Sequence, residues 1–139
     1  MIEGLSHITL IVSDLDRMSR FFTAIFEAEQ VYDSGDHTHS LSRERFFRIG
    51  GVWVAIMEGE PLPEKTYNHV AFKIPDSEYD LYADRVRALG VDLREGRSRC
   101  AGEGRSLYFH DDDNHLFELH TGTLAERLKS YALPCEEQP

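Results

Sequence analysis

Cysteine is scarce in this 139-residue chain: there are two, Cys100 and Cys135, and neither lies in a CxxC unit. That excludes a framework of disulfide staples, and both residues read as free thiols. No apolar run approaches the roughly 20 residues that span a bilayer. The first residues also lack the basic-then-apolar layout of a secretory leader, so a cytoplasmic protein with no membrane partner is expected. Positive charge is short as well, with 15 Lys and Arg against 25 Asp and Glu and a formal net charge of -10. Nonspecific nucleic-acid binding needs a basic footprint, so no such partner is expected. A small anionic ligand stays open, because a divalent cation and a few arginines reverse the field locally. What remains is ordinary folded composition, 41% hydrophobic and 29% charged. It is enough for one core or for two small modules that lean on each other.

The chain reads as two copies of one unit. GLSHITLIV near the start and TYNHVAFKI at the middle each place a histidine, His7 or His69, at the head of an alternating strand. In the first copy Asp14 stands where a helix cap belongs, with Met18, Phe21, Phe22 and Ile25 following at helical spacing. A short strand near Gln30–Tyr32, RERFFRI, a Gly50-Gly51 turn and VWVAIM complete it, the double glycine predicting a hairpin. In the second copy Asp76 repeats the cap, Leu81, Val86 and Leu89 supply a helix stripe, and Gly90 suits a left-handed helix end. RSLYFHDDDNHLFELH closes it as strand, acidic turn, strand. The expected fold is α+β: two βαβββ modules, about 4–60 and 67–122, within a single domain spanning 1–139. EGEPLPEKT is the linker, and TLAERLKSY is a C-terminal helix over about 123–132. Thr123 and Glu126 form a capping-box signature there, Leu124 and Leu128 offer a docking stripe, and the final PCEEQP is expected to fray.

Overlaying GVWVAIMEG on NHLFELHTG sets Ala55 against Glu118, so both copies keep the histidine and only one has the carboxylate. On the last strand Phe117 and Leu119 share one face, and Leu116, Glu118 and His120 share the other. A carboxylate among large apolar neighbours is poorly placed unless it is paired or ligated. Two imidazoles and one carboxylate suit manganese, iron or zinc and leave positions open for water or substrate. His7, His69 and Glu118 are therefore the candidate metal ligands. His37 and His39 lie in a polar loop and read as surface. His110 and His115 flank the DDDN turn, which lacks the glycine and terminal glutamate of an EF-hand loop and reads as a turn capping its own backbone. His120 reads as support for the site or as a strand-end residue.

These matching halves, with SLSRERFFRIGGVWVAIMEG, YNHVAFKI, EGRSLYFHDDDNHLFELH and the ending FELHTGTLAERL, resemble the vicinal oxygen chelate superfamily of glyoxalases, bleomycin-resistance proteins and dioxygenases. The resemblance covers essentially the whole chain and is closest to the fosfomycin-resistance proteins of the FosX type, which are manganese-dependent epoxide hydrolases. It implies cup-shaped mixed sheets and a domain-swapped homodimer with shared active sites, in which His7 of one chain completes the site of its partner. It implies Mn2+ as cofactor, with other divalent metals as alternatives, and a small anionic phosphonate epoxide as substrate. It further implies Glu44 as general base and Thr9, Ser106, Tyr108 and Arg127 around the phosphonate and oxirane. From local sequence alone, Arg43-Glu44-Arg45 reads as solvated charge at a strand entrance. The segment REGRSRCAGEGRS, with Arg94, Arg97, Arg99 and Arg105, does not resemble the potassium loop of the glutathione-using branch. That departure favours hydration over thiol transfer. The alternatives are a thiol transferase on the same epoxide, another enzyme of the superfamily, and a non-catalytic small-molecule binding protein.

Overall fold

The computed structural model describes residues 1–97, 100 and 102–133; the expected fraying of PCEEQP, together with Arg99 and Cys135, lies outside them. Two units partition the chain: Met1–Lys65 with Asp111–Asn114, and Thr66–His110 with His115–Pro139.

In the first unit, Asp14 caps α1 (Leu15–Phe26) by accepting the Arg17 backbone N–H at 3.0 Å. The expected stripe is buried: Met18, Phe21, Phe22 and Ile25, joined by Leu15 and Phe26. The helix stops where Glu27 enters the left-handed region and its N–H bonds the Phe22 carbonyl. The Phe22 ring meets Phe47 edge-on at 5.3 Å, which fixes the helix to one face of the sheet. That sheet has the order β1-β4-β3-β2, built from β1 (His7–Val12), β4 (Val52–Glu58), β3 (Glu44–Ile49) and β2 (Glu29–Asp33). β1 and β4 run parallel and the other pairs antiparallel. Gly50 and Gly51 both take positive φ, 53° and 82°, so the turn between β3 and β4 follows the right-handed twist of its strands.

The acidic turn groups with this first unit. Asp113 N–H donates to Asp111, as a turn that caps its own backbone should, and Asn114 takes a positive φ of 70°. The buried Asp113 carboxylate also accepts the Ser13 N–H at 3.1 Å and the Ser13 hydroxyl at 2.6 Å.

The second unit repeats the arrangement. Its sheet has the order β5-β8-β7-β6, from β5 (His69–Lys73), β8 (Leu116–His120), β7 (Ser106–His110) and the two-residue β6 (Arg94–Glu95). Again the first strand is parallel to the last. Two mixed four-stranded sheets in the same order make the fold the expected pair of βαβββ-like modules.

Four local expectations fail. Asp76 does not cap a helix: Pro75 leads into a single 3-10 turn, Asp76–Glu78, and α2 (Tyr79–Ala88) starts after it. The Asp76 carboxylate instead takes the Arg105 guanidinium at 2.9 Å, a partner 29 residues away that local pattern cannot reveal. In α2 the buried residues are Tyr79, Ala83 and Val86, while Leu81, about 140° round the helix from Val86, and Leu89, at its C-cap, are exposed. Leu124 and Leu128 do not dock. α3 (Leu124–Tyr131) buries no residue, although its capping box between Thr123 and Glu126 forms as expected. Finally, Cys100 is disulfide-bonded rather than a free thiol, since sequence spacing does not report which thiols approach in space. Among the described residues no helix is long and apolar enough to cross a membrane.

Candidate metal centre

Strand register sets the candidate residues on defined faces. In the second sheet His69 pairs with Leu116, Ala71 with Glu118, and Tyr108 with Glu118 on its other side. Residues opposed across strands point to one face, so His69, Glu118, Tyr108, Ser106 and His120 converge. His69 Nε2 lies 3.0 Å from Glu118 Oε1. His69 Nδ1 donates to the Tyr67 carbonyl at 2.7 Å, so Nε2 is the ring nitrogen turned toward Glu118. Two ligand atoms holding one ion at about 2.1 Å and at right angles stand about 3 Å apart. The pair therefore fits a divalent metal.

The carboxylate is held in its charged form. Burial by itself raises the Glu118 carboxyl; hydrogen bonds from Ser106 and Tyr108, with His120 and His69 nearby, outweigh it and keep the group below its ordinary value. The Ser106 hydroxyl donates to Glu118 Oε2 at 2.7 Å and lies 2.7 Å from His120 Nδ1. Burial above all, then its contacts with Tyr67 and Glu118, push the Tyr108 hydroxyl well above the usual tyrosine range, so it stays a neutral donor. Its one proton goes to Glu118, which leaves the Tyr67 hydroxyl, 3.3 Å away, as the donor between the two tyrosines. The Arg127 guanidinium reaches the same cluster from α3, with Nη2 3.3 Å from His120 Nε2.

The remaining candidates belong to the first sheet. His7 pairs with Trp53, Thr9 with Ala55, and Glu44 with Met57, which puts all three on one face in successive rows. The His7 ring lies 4.1 Å from that of Trp53, and its Nδ1 meets the Ser6 hydroxyl at 2.9 Å, leaving Nε2 for a ligand. Glu44 is 8% exposed. Its carboxylate has no hydrogen-bond or ion-pair partner among the described residues. The flanking arginines point to the other face: Arg43 takes Glu58 at 2.6 Å, and Arg45 takes Asp16 and Asp33 at 2.7 and 3.0 Å. Glu44 thus departs from the solvated-charge reading of its local sequence.

Among the described residues no group of three His, Cys, Asp or Glu side chains is arranged to hold a metal. Of the three expected ligands, His69 and Glu118 are neighbours in the second unit and His7 lies in the first. His37 and His39 are exposed, with rings 6.1 Å apart. Arg97 pairs with buried Glu103 and Arg105 with Asp76, while Arg94 sits on β6 opposite Tyr108. Sequence reasoning missed Tyr67, whose hydroxyl meets Tyr108 and whose backbone carbonyl, a group with no residue-type signal, orients His69. It gave His120 only a general supporting place, although alternation after Glu118 had put it on the right face.

The glyoxalase/bleomycin resistance protein/dioxygenase superfamily model matches residues 4–119. The chain is 62% identical to the fosfomycin resistance protein FosX of Mesorhizobium japonicum, over 92% of each chain. At greater distance it is 39% identical to the metallothiol transferase FosB of Shouchella clausii, over 94% of this chain and 88% of that one. Among solved structures, a FosX variant from Listeria monocytogenes complexed with Mn(II) and 1S,2S-dihydroxypropylphosphonic acid superposes with a TM-score of 0.86. The two are 56% identical over 94% of this chain and 99% of that one.

Proposed function

The chain belongs to the glyoxalase/bleomycin resistance protein/dioxygenase superfamily, and on that premise we propose that it is a manganese-dependent hydrolase that opens the epoxide of fosfomycin to a diol, conferring resistance. The observation that carries hydrolysis, rather than binding alone, is Glu44: a buried carboxylate without a described partner, set between two arginines that are already paired. The higher identity to the FosX proteins than to a thiol transferase points the same way.

His69 and Glu118 hold the metal, with His7 as the third protein ligand. Bound there, manganese acts as a Lewis acid that helps the oxirane oxygen leave. Arg127 offers a two-pronged set of N–H donors to the phosphonate, and Thr9 adds a neutral one, while Tyr108 acts through Glu118, to which its proton is directed. Ser106 contributes through Glu118, to which its proton is already directed. Glu44 takes a proton from the incoming water as that oxygen bonds to carbon. The carbon–oxygen bond of the ring breaks, the released oxygen takes a proton from solvent water to give the second hydroxyl, and Glu44 returns its proton to solvent. Phosphorus NMR on fosfomycin with manganese and no thiol should show the diol; a product that forms only when thiol is supplied would overturn the reading.

The active species we propose is a homodimer in which His7 comes from one copy and His69 with Glu118 from the other. Two observations support it: the second unit alone supplies two protein ligands, and His7 keeps Nε2 available. A symmetric pair would then hold two equivalent sites. Mixing inactive His7→Ala and Glu118→Gln proteins should restore turnover, because one of the two sites in each mixed dimer has every ligand. Mixtures as inactive as their parents would rule out shared sites.

A further inference from the structure

His120 stands between two groups to which the proposed reaction assigns different tasks, and donor counting gives the chain a direction. Arginine has no acceptor, so Arg127 Nη2 donates to His120 Nε2 across 3.3 Å. The single proton of the Ser106 hydroxyl goes to Glu118 Oε2 at 2.7 Å. Ser106 must therefore accept from His120, whose Nδ1 lies 2.7 Å away. One tautomer, with the proton on Nδ1 and the lone pair on Nε2, satisfies these three contacts. The result is an ordered run of donors from guanidinium to imidazole to hydroxyl to carboxylate.

Packing keeps the imidazole in line. Gly122 lies beside it, and a Cβ at that position would come within 2.8 Å of His120 Nε2 and 2.6 Å of the Glu103 carbonyl. Only glycine leaves this space to the ring. Position adds to the case, because His120 pairs with both Lys73 and Ser106 at the end of β8, where the chain turns toward the helix that carries Arg127.

We infer that His120 is a positioning residue that couples the phosphonate clamp to the metal ligand: it orients the Arg127 guanidinium and, through Ser106, holds Glu118 in its ligating rotamer. The inference rests on the roles proposed above for Arg127 and Glu118. It requires that a change at one histidine move two binding constants, each by a separable route.

Two variants separate the routes. His120→Asn keeps an N–H donor near the Nδ1 position but does not reach Arg127; His120→Phe keeps the ring and removes both polar ends. Manganese affinity is read by electron paramagnetic resonance of free Mn2+, and phosphonate affinity by calorimetric titration of manganese-loaded protein with methylphosphonate. Neither readout needs turnover, so a failure of the fosfomycin reading shows separately, as a wild-type protein that binds both probes and makes no diol. In His120→Asn, methylphosphonate affinity should fall about tenfold and manganese affinity stay near wild type. In His120→Phe both should fall, the metal by about 10–100-fold as for other outer-shell partners. The Asn change should add little in an Arg127→Ala background, since the contact it breaks is already gone. A residue of merely structural importance would lower the melting temperature and leave both constants unchanged in folded protein. That result in His120→Asn, or wild-type manganese affinity in His120→Phe, overturns the inference.

Discussion

Laid over each other by register, the two sheets place different chemistry at the same positions. The middle row of the first sheet is Thr9–Ala55–Phe46, and that of the second is Ala71–Glu118–Tyr108. The next row is Ile11–Met57–Glu44 in the first and Lys73–His120–Ser106 in the second. Each sheet thus buries one carboxylate on this face, but in different rows and with opposite surroundings. Glu118 is gripped by Ser106 and Tyr108 and faces His69 across 3.0 Å. Glu44 has no described partner for its carboxylate. One backbone plan therefore yields a carboxylate gripped by hydrogen bonds and a carboxylate with no described partner. The neighbours, not the residue type, make the difference.

The largest effect that would test this contrast comes from exchanging the two middle-row residues. Glu118→Gln should weaken manganese binding beyond the 10–100-fold typical of a supporting residue, measured by titration of free Mn2+. Ala55→Glu should create no second metal site, because Phe46 and Met57 stand where Tyr108 and His120 support Glu118. Binding of two ions by that variant would break the comparison.

Glu44→Gln should lower hydration by about 10²–10⁴-fold, the range for a lost general base, with manganese affinity retained. Product formation followed by phosphorus NMR, alongside the metal titration, distinguishes this from a lost ligand. Equal loss of metal would mean that the two carboxylates do the same work.

The two modules also carry equivalent glycines at the ends of their last strands. A Cβ at Gly59 would meet only the Ile11 side chain, at 2.6 Å, whereas one at Gly122 would meet the Glu103 backbone carbonyl at 2.6 Å. Backbone yields less readily than a side chain. Gly122→Ala should destabilise by about 1–3 kcal/mol, as overpacking does, and by more than Gly59→Ala in paired urea melts.

The smallest effect concerns pH. Ser106 favours the charged form of Glu118, so Ser106→Ala should raise that carboxyl. Its folded-state pKa lies below the ordinary value, so the stabilisation it supplies is present at neutral pH and lost as pH falls through that depressed value. In the variant, manganese affinity should begin to fall at a higher pH than in wild type. Metal titrations at decreasing pH check the sign, and an unshifted profile would show that Ser106 does not tune the ligand.

Some of this was readable from local pattern. The Asp14 cap, the apolar stripe of α1, the double-glycine hairpin and the Thr123–Glu126 capping box all depend on residues within a turn or two of each other, and all four form. The alternation that sets Glu118 apart from Phe117 and Leu119 is equally local, and the registers support the overlay of Ala55 on Glu118. Asp76 and Leu124 depart from their local pattern because the partner that decides each of them, or its absence among the described residues, lies far along the chain. Glu44 shows the same limit from the other side. Its Arg-Glu-Arg setting suggests solvated charge, yet strand alternation sends both arginines to carboxylates on one face and leaves Glu44 buried on the other.

The sequence by itself determined that there are two modules, that each begins with a histidine, and that only the second ends in a carboxylate. Those are facts of repeat and alternation, and the two-residue period of a strand transmits them without knowledge of the rest of the fold. The tertiary structure alone decided which groups hold Glu118, that His120 joins Arg127 to Ser106, and that Glu44 is buried without a described partner. Hydrogen bonds between strands and helices depend on register and rotamer across many intervening residues, and short-range pattern carries no record of either.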